Sequence, residues 1–152
     1  MSESNRHETA QQRPPAPAVR SWHTTAQQVQ GGIDLPVDAT FDYDPDDPWA
    51  VRVTFRAPLG RVVVWTLSRE LLRSGARVLS GAGDVRLWPL RGGGREGRVR
   101  MRLGPAGAFA VVDVDRERLR TWLAETYVAV PDGSEAARID WAAETPHLFG
   151  QP

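Results

Sequence analysis

The sequence predicts an α+β domain built mainly of antiparallel strands, with about seven strands, one short helix and one longer helix near the C-terminus. Three observations lead there. Short apolar alternations of period two recur from Ile33 onward, turns rich in Gly, Pro and Asp separate most of them, and two segments within that pattern carry clear helical signals. Tight turns join antiparallel neighbours, whereas a parallel nucleotide-binding sheet needs a helix after nearly every strand, so a doubly wound fold is excluded.

The first 32 residues hold little apolar periodicity and a Gly31-Gly32 break, and are expected to form a disordered Pro/Gln-rich tail ahead of a single domain over residues 33–150. Residues 38–43 read as a weak strand before an acidic loop. Val51, Val53 and Phe55 alternate with Arg52, Thr54 and Arg56, as a half-buried strand requires. Pro58-Leu59-Gly60 turns the chain into residues 61–66, apolar on both sides and therefore expected as a central strand. Ser68 is placed to cap a short helix that carries Glu70 in its first turn and a Leu71-Leu72 face, and Ser74-Gly75 ends it. Residues 77–79, 85–90 and 98–103 read as further strands. In the last, Val99, Met101 and Leu103 point one way and Arg98, Arg100 and Arg102 the other. Residues 108–114 form the next strand, Asp115 caps a helix whose Leu119, Trp122, Leu123 and Thr126 share one face, and a last short helix falls near residues 139–148.

Composition narrows the chemistry. All 19 basic residues are arginine, so the phosphate-loop lysine, Schiff-base catalysis and pyridoxal attachment are excluded together; zero cysteines excludes thiolate nucleophiles, thiolate metal sites and disulfides. Of three histidines, His7 and His23 lie in the tail and His147 beside Pro146, too few for a zinc site or a convincing triad. Asp42, Asp44 and Asp46 begin like a calcium loop, but Asp47 stands where glycine is needed and Val53 where glutamate is, so a turn capped by carboxylates is the better account. No cofactor is implied. No apolar run is long enough to cross a bilayer, and the opening residues lack a signal peptide's apolar stretch, so the expected location is cytoplasmic.

Net charge is zero but unevenly placed: residues 1–32 sum to +1, 33–50 to −6, 51–102 to +9 and 103–152 to −4. A basic middle between acidic flanks suits either a polyanion site or surfaces that neutralise each other within the fold. Arg98, Arg100 and Arg102, with tryptophans as stacking platforms, form the candidate polyanion face of a single-strand nucleic-acid binder; a solvated strand face is the plainer account.

Three strings carry a resemblance. Tyr43-Asp44-x-x-Asp47-Pro48-Trp49-Ala50-Val51, Val64-Trp65-x-x-x-Arg69-Glu70-Leu71-Leu72 and Gly81-x-Gly83-Asp84-Val85-Arg86-Leu87-Trp88-Pro89, followed by Val130-Pro131-x-Gly133-x-Glu135, resemble in order and spacing the blocks of the SsgA-like sporulation and cell-division proteins of actinobacteria. The resemblance implies a whirly-like fold, a homotrimer, no catalytic residues, and an adaptor that recruits division or cell-wall proteins such as FtsZ or its membrane anchors to septa. On it, Asp47, Pro48 and Trp49 in one loop and Asp84, Arg86 and Trp88 at one strand are the candidate partner-binding residues, since Trp and Arg dominate interface energetics. The competing account places Trp49 and Trp88 in the core and pairs Asp84 with an arginine.

Overall fold

The computed structural model describes residues 18–139. Four strands, β1 (Arg20–Gln30), β2 (Ile33–Tyr43), β3 (Ala50–Arg56) and β4 (Val62–Ser68), lead to the short helix α1 (Arg69–Gly75). Four more, β5 (Ser80–Ala82), β6 (Val85–Pro89), β7 (Arg98–Leu103) and β8 (Ala110–Asp115), lead to the longer helix α2 (Arg116–Ala129). All neighbours are antiparallel, in the order β4-β3-β2-β1-β8-β7-β6-β5. The strand-rich α+β class expected from the sequence is correct, with eight strands in place of about seven.

The sheet cannot be flat. Helix α1 starts where β4 ends, yet the position of its Gly75 is so close to Leu87 on β6 that a methyl there would meet Leu87 Cβ at 2.4 Å. Six strand spacings in a flat sheet span roughly 29 Å, and a seven-residue helix only about 10 Å. The narrowest ladder in the sheet is that between β1 and β8, which covers only Gln27↔Asp113 and Gln28↔Val112, whereas β1 and β2 pair from Arg20↔Tyr43 to Gln30↔Ile33. The helices pack on one face of the curved sheet, where Leu72, Leu119, Trp122 and Leu123 join Phe41, Val53, Leu87 and Met101 in one core.

Both helix starts follow from their caps: the Ser68 hydroxyl accepts the Leu71 N–H at 3.1 Å and the Asp115 carboxylate the Arg118 N–H at 2.8 Å. Three expectations are corrected. Residues 20–30 are not a disordered tail but β1, a strand paired on both sides. Gly31 and Gly32, at φ +58° and +79°, form the two-residue hairpin turn that joins it to β2, so what reads as a break is a connection. Residues 61–66 form most of an edge strand, with Val62, Val63 and Val64 at 46%, 39% and 53% exposure, because no strand of the described residues lies beyond β4. Residues 77–79 form no strand: the N–H groups of Ala76, Arg77 and Val78 donate to Leu72 and Ser74 carbonyls to close α1, which leaves them unavailable to a ladder. The helix expected near 139–148 lies outside the described residues apart from Ile139.

Candidate partner-binding site

Between β2 and β3 the acidic loop is tied down at every turn. The Asp44 carboxylate accepts the Asp46 N–H at 2.9 Å, the Asp44 carbonyl accepts the Asp47 N–H at 2.9 Å, and the Pro48 carbonyl accepts the Tyr43 hydroxyl at 2.9 Å. The Arg69 N–H, first of α1, donates to the Trp49 carbonyl at 2.7 Å. The backbone of residues 44–49 is thus fixed to the sheet and to a helix end, and it presents Trp49 to solvent at 47% exposure while Pro48 is buried. The core account of Trp49 is therefore wrong: its loop, not its side chain, is what packs.

Beneath this loop lies a group that sequence reasoning missed. Arg69 is 1% exposed. Its guanidinium donates to the Thr126 carbonyl at 3.1 Å and the Val130 carbonyl at 2.9 Å and forms an ion pair with Glu135 at 2.8 Å. It also lies over the Tyr127 ring at 3.9 Å and the Tyr43 ring at 4.9 Å. The other Glu135 oxygen accepts the Gly133 N–H at 2.8 Å. Hydrogen bonds from its own N–H, from Arg69 and from the Gly133 N–H hold the Glu135 carboxyl below the usual range, against the opposing effect of burial. Burial pushes the Tyr43 hydroxyl up to about 12 and raises that of Tyr127. Members of three of the sequence blocks, Tyr43, Arg69 and Glu135, thereby meet in one buried network that clamps the end of α2 and the segment after it to α1. The signal was present, since all three stand in those blocks, but a charged residue in a helix reads as solvated until its partner is known.

The second string lies elsewhere. Gly83 and Asp84 form the tip of the β5–β6 hairpin, between Ala82 and Val85, and the Asp84 carbonyl accepts the Gly104 N–H at 2.8 Å. The Asp84 side chain is exposed and, among the described residues, pairs with no arginine. Leu87 points into the core, so Arg86 and half-buried Trp88 face the other side of the sheet, opposite Arg102 and Arg100 respectively. Asp47, Pro48 and Trp49 therefore sit at the start of α1, while Arg86 and Trp88 are on the far face of the strand that meets its end; the structure does not join them into one patch.

The arginine ladder is largely neutralised. Arg100 makes a bidentate pair with Asp113, Nε to Oδ1 at 2.8 Å and Nη2 to Oδ2 at 3.0 Å, and the Asp113 side chain is fully buried. Arg98 and Arg95 reach Asp34 at 3.3 and 3.2 Å, and Arg95 lies 3.6 Å from Asp113. One acid from each flank thus neutralises three arginines of the basic middle within the fold, and Arg102 stacks over Phe109 at 4.2 Å. Replacing Arg100 by Gln is expected to cost about 1–3 kcal/mol in urea unfolding, because Asp113 loses its bidentate donor, with no change in retention of single-stranded DNA at physiological salt. Tighter retention that depended on this arginine would assign the face to a polyanion.

Among the described residues no three His, Asp or Glu side chains gather as metal ligands, and none of the helices is long and apolar enough to cross a membrane. A groove of 770 Å³ runs along β1 to β3, and in it the His23 ring nitrogen Nδ1 lies 3.0 Å from the Thr40 hydroxyl.

Comparison with known proteins agrees with these blocks. A family model described as Streptomyces sporulation and cell division protein, SsgA, matches residues 37–135, a span that holds Tyr43, Arg69 and Glu135. The chain is 41% identical over 117 residues to the sporulation-specific cell division protein SsgB of Frankia casuarinae, covering 76% of this chain and 80% of that one. It is 36% identical over 123 residues to SsgB of Streptomyces coelicolor, covering 81% and 89%. The crystal structure of an SsgA-like sporulation-specific cell division protein from Thermobifida fusca superposes with a TM-score of 0.78 at 30% identity, over 90% of this chain and all of that one. With its motif blocks, its fold and its relatives in agreement, the chain belongs to the SsgA-like family of sporulation and cell-division proteins.

Proposed function

We propose that this protein is a non-enzymatic adaptor in sporulation-specific cell division, a cytoplasmic homotrimer that brings FtsZ, its membrane anchors or cell-wall enzymes to septa. The observation that carries the reading is Trp49, an exposed aromatic on a loop whose backbone is fixed by Tyr43 and Arg69. A rigid, exposed Trp loses little entropy on docking and makes a natural interface anchor. The relatives named for sporulation-specific division support the process. Arg86 and Arg102, which have no carboxylate partner among the described residues, keep a single-strand nucleic-acid binder as the second reading.

The purified protein used as bait in sporulating cells is expected to recover division or wall-synthesis proteins. The Trp49→Ala variant should lose them while its stability stays within about 0.5 kcal/mol of the parent, as for an exposed side chain. Recovery of nucleic acid alone would overturn the adaptor reading. Light scattering is expected to give three times the 16.8 kDa chain mass; a monomer at micromolar concentration sinks the trimer.

A further inference from the structure

Strand β4 is the open side of this molecule. It pairs with β3 from Ala50↔Ser68 to Arg56↔Val62, and its other side has no strand partner among the described residues. Proteins blunt such edges with charge, proline or brevity. The opposite edge, β5, is three residues long and contains Gly81, whereas β4 runs seven residues with three consecutive valines and no charge. Both faces of β4 remain apolar and accessible. Val62 and Val64 stand on the outer face, while Val63 and Trp65 border a 370 Å³ cavity on the inner face together with Phe55 and Leu103.

Charge indicates what could lie there. On the outer face β3 carries Arg52 and Arg56 opposite Thr66 and Val62, while exposed Arg61, just before β4, borders the inner-face cavity. None of the three has a carboxylate within ion-pair distance among the described residues, although arginines 95, 98 and 100 do. A second copy is a poor match. Two β4 strands would pair about a two-fold axis, which makes a dimer and not a three-fold ring, and β4 against β5 has only three residues to engage.

We propose that β4 receives an extended segment of a partner protein as a ninth strand, and that this segment alternates apolar side chains and carries acidic residues at its ends. Backbone hydrogen bonds to the free side of β4 would supply affinity, the cavity beside Trp65 and the valines would select apolar positions, and the three arginines would select acidic ends. The proposal rests on the adaptor reading for its biological partner. The pull-down above tests that reading through Trp49, and the following experiment needs no division protein, so either can fail alone.

The probe is the end-blocked peptide Asp-Thr-Val-Thr-Val-Thr-Val-Glu, added to the full chain and read by hydrogen exchange. Saturable protection of alternate β4 amides is expected below about 1 mM. The variant V62T/V64T, which keeps strand propensity and removes apolar surface, should weaken binding by about tenfold, and R52Q/R56Q/R61Q should weaken it and abolish its salt dependence. Thermal melts confirm that both variants fold. No protection at about 1 mM, protection indifferent to V62T/V64T, or β4 amides already protected without peptide and released on dilution, as a second copy would produce, would each overturn the proposal.

Discussion

Deletion of residues 1–32 is expected to abolish the cooperative thermal transition. Strand β1 lies between β2 and β8 and, among the described residues, its ladder to β8 is the only one that joins the two halves of the sheet. Its Ala26 is fully buried, and its Trp22 ring packs 4.8 Å from Phe41 and 6.3 Å from Trp122 of α2. Without it, two strand edges lose their partners and the aromatic centre of the core meets water. A domain stabilised by about 5–15 kcal/mol does not survive the loss of a central strand. Calorimetry of the truncated chain decides it. A cooperative melt within about 5 °C of the parent, equivalent to roughly 1 kcal/mol, would show that β1 is dispensable.

The second large effect is centred on Arg69. Arg69→Ala is expected to cost about 3–5 kcal/mol, because it leaves Glu135 without its ion-pair partner and the Val130 carbonyl without its Arg69 donor, while the Thr126 carbonyl keeps only the Val130 N–H. Glu135→Gln keeps an acceptor and should cost less, about 1–2 kcal/mol. Replacing Arg69 and Glu135 together by Met should recover part of the loss, since the remaining cost is then packing and not an unpaired charge. Urea unfolding of the three variants measures this, and an Arg69→Ala cost below about 1 kcal/mol contradicts the buried network. The network also shapes the pH dependence. Glu135, with its pKa lowered on folding, contributes stability above the usual carboxylate range that is lost as pH falls through the lowered value. Tyr43, raised from 10.0 to about 12, contributes stability that is complete below pH 10 and lost as pH rises toward 12. Tyr43→Phe should remove that alkaline loss while sacrificing the bond to Pro48, worth about 1 kcal/mol.

Local signals were legible wherever a residue and its neighbours in sequence share one constraint. Ser68 and Asp115 cap helices because the bond runs three residues along the chain, and β7 reads cleanly because Val99, Met101 and Leu103 are all buried on one face. The candidate site was legible only in part. The blocks pointed to Asp47, Pro48 and Trp49, and the loop's rigidity and exposed Trp49 make it the stronger half. Asp84, Arg86 and Trp88 were chosen from the same blocks, but alternation along β6 turns Arg86 and Trp88 away from α1. Charge segments recorded the uneven distribution without revealing that Asp34 and Asp113 pair with arginines 95, 98 and 100.

The sequence by itself determined the strand-rich class, both helices with their caps, the inward faces of β3 and β7, and the family blocks, because each depends on local periodicity, turn chemistry or residue identity. Only the tertiary structure decided that β1 is central, that β4 is an edge and that Arg69 is buried. Residues 20–30 contain few large apolar side chains, and what makes them a strand is a ladder to β2 and β8, the latter about 85 residues away in the chain. The valines of β4 carry a pattern that demands burial on both faces, but periodicity does not say whether the same chain supplies it. Arg69 becomes a core residue only when folding brings Glu135 and two α2 carbonyls to it, since a buried charge is tolerated where its partners are assembled around it and nowhere else.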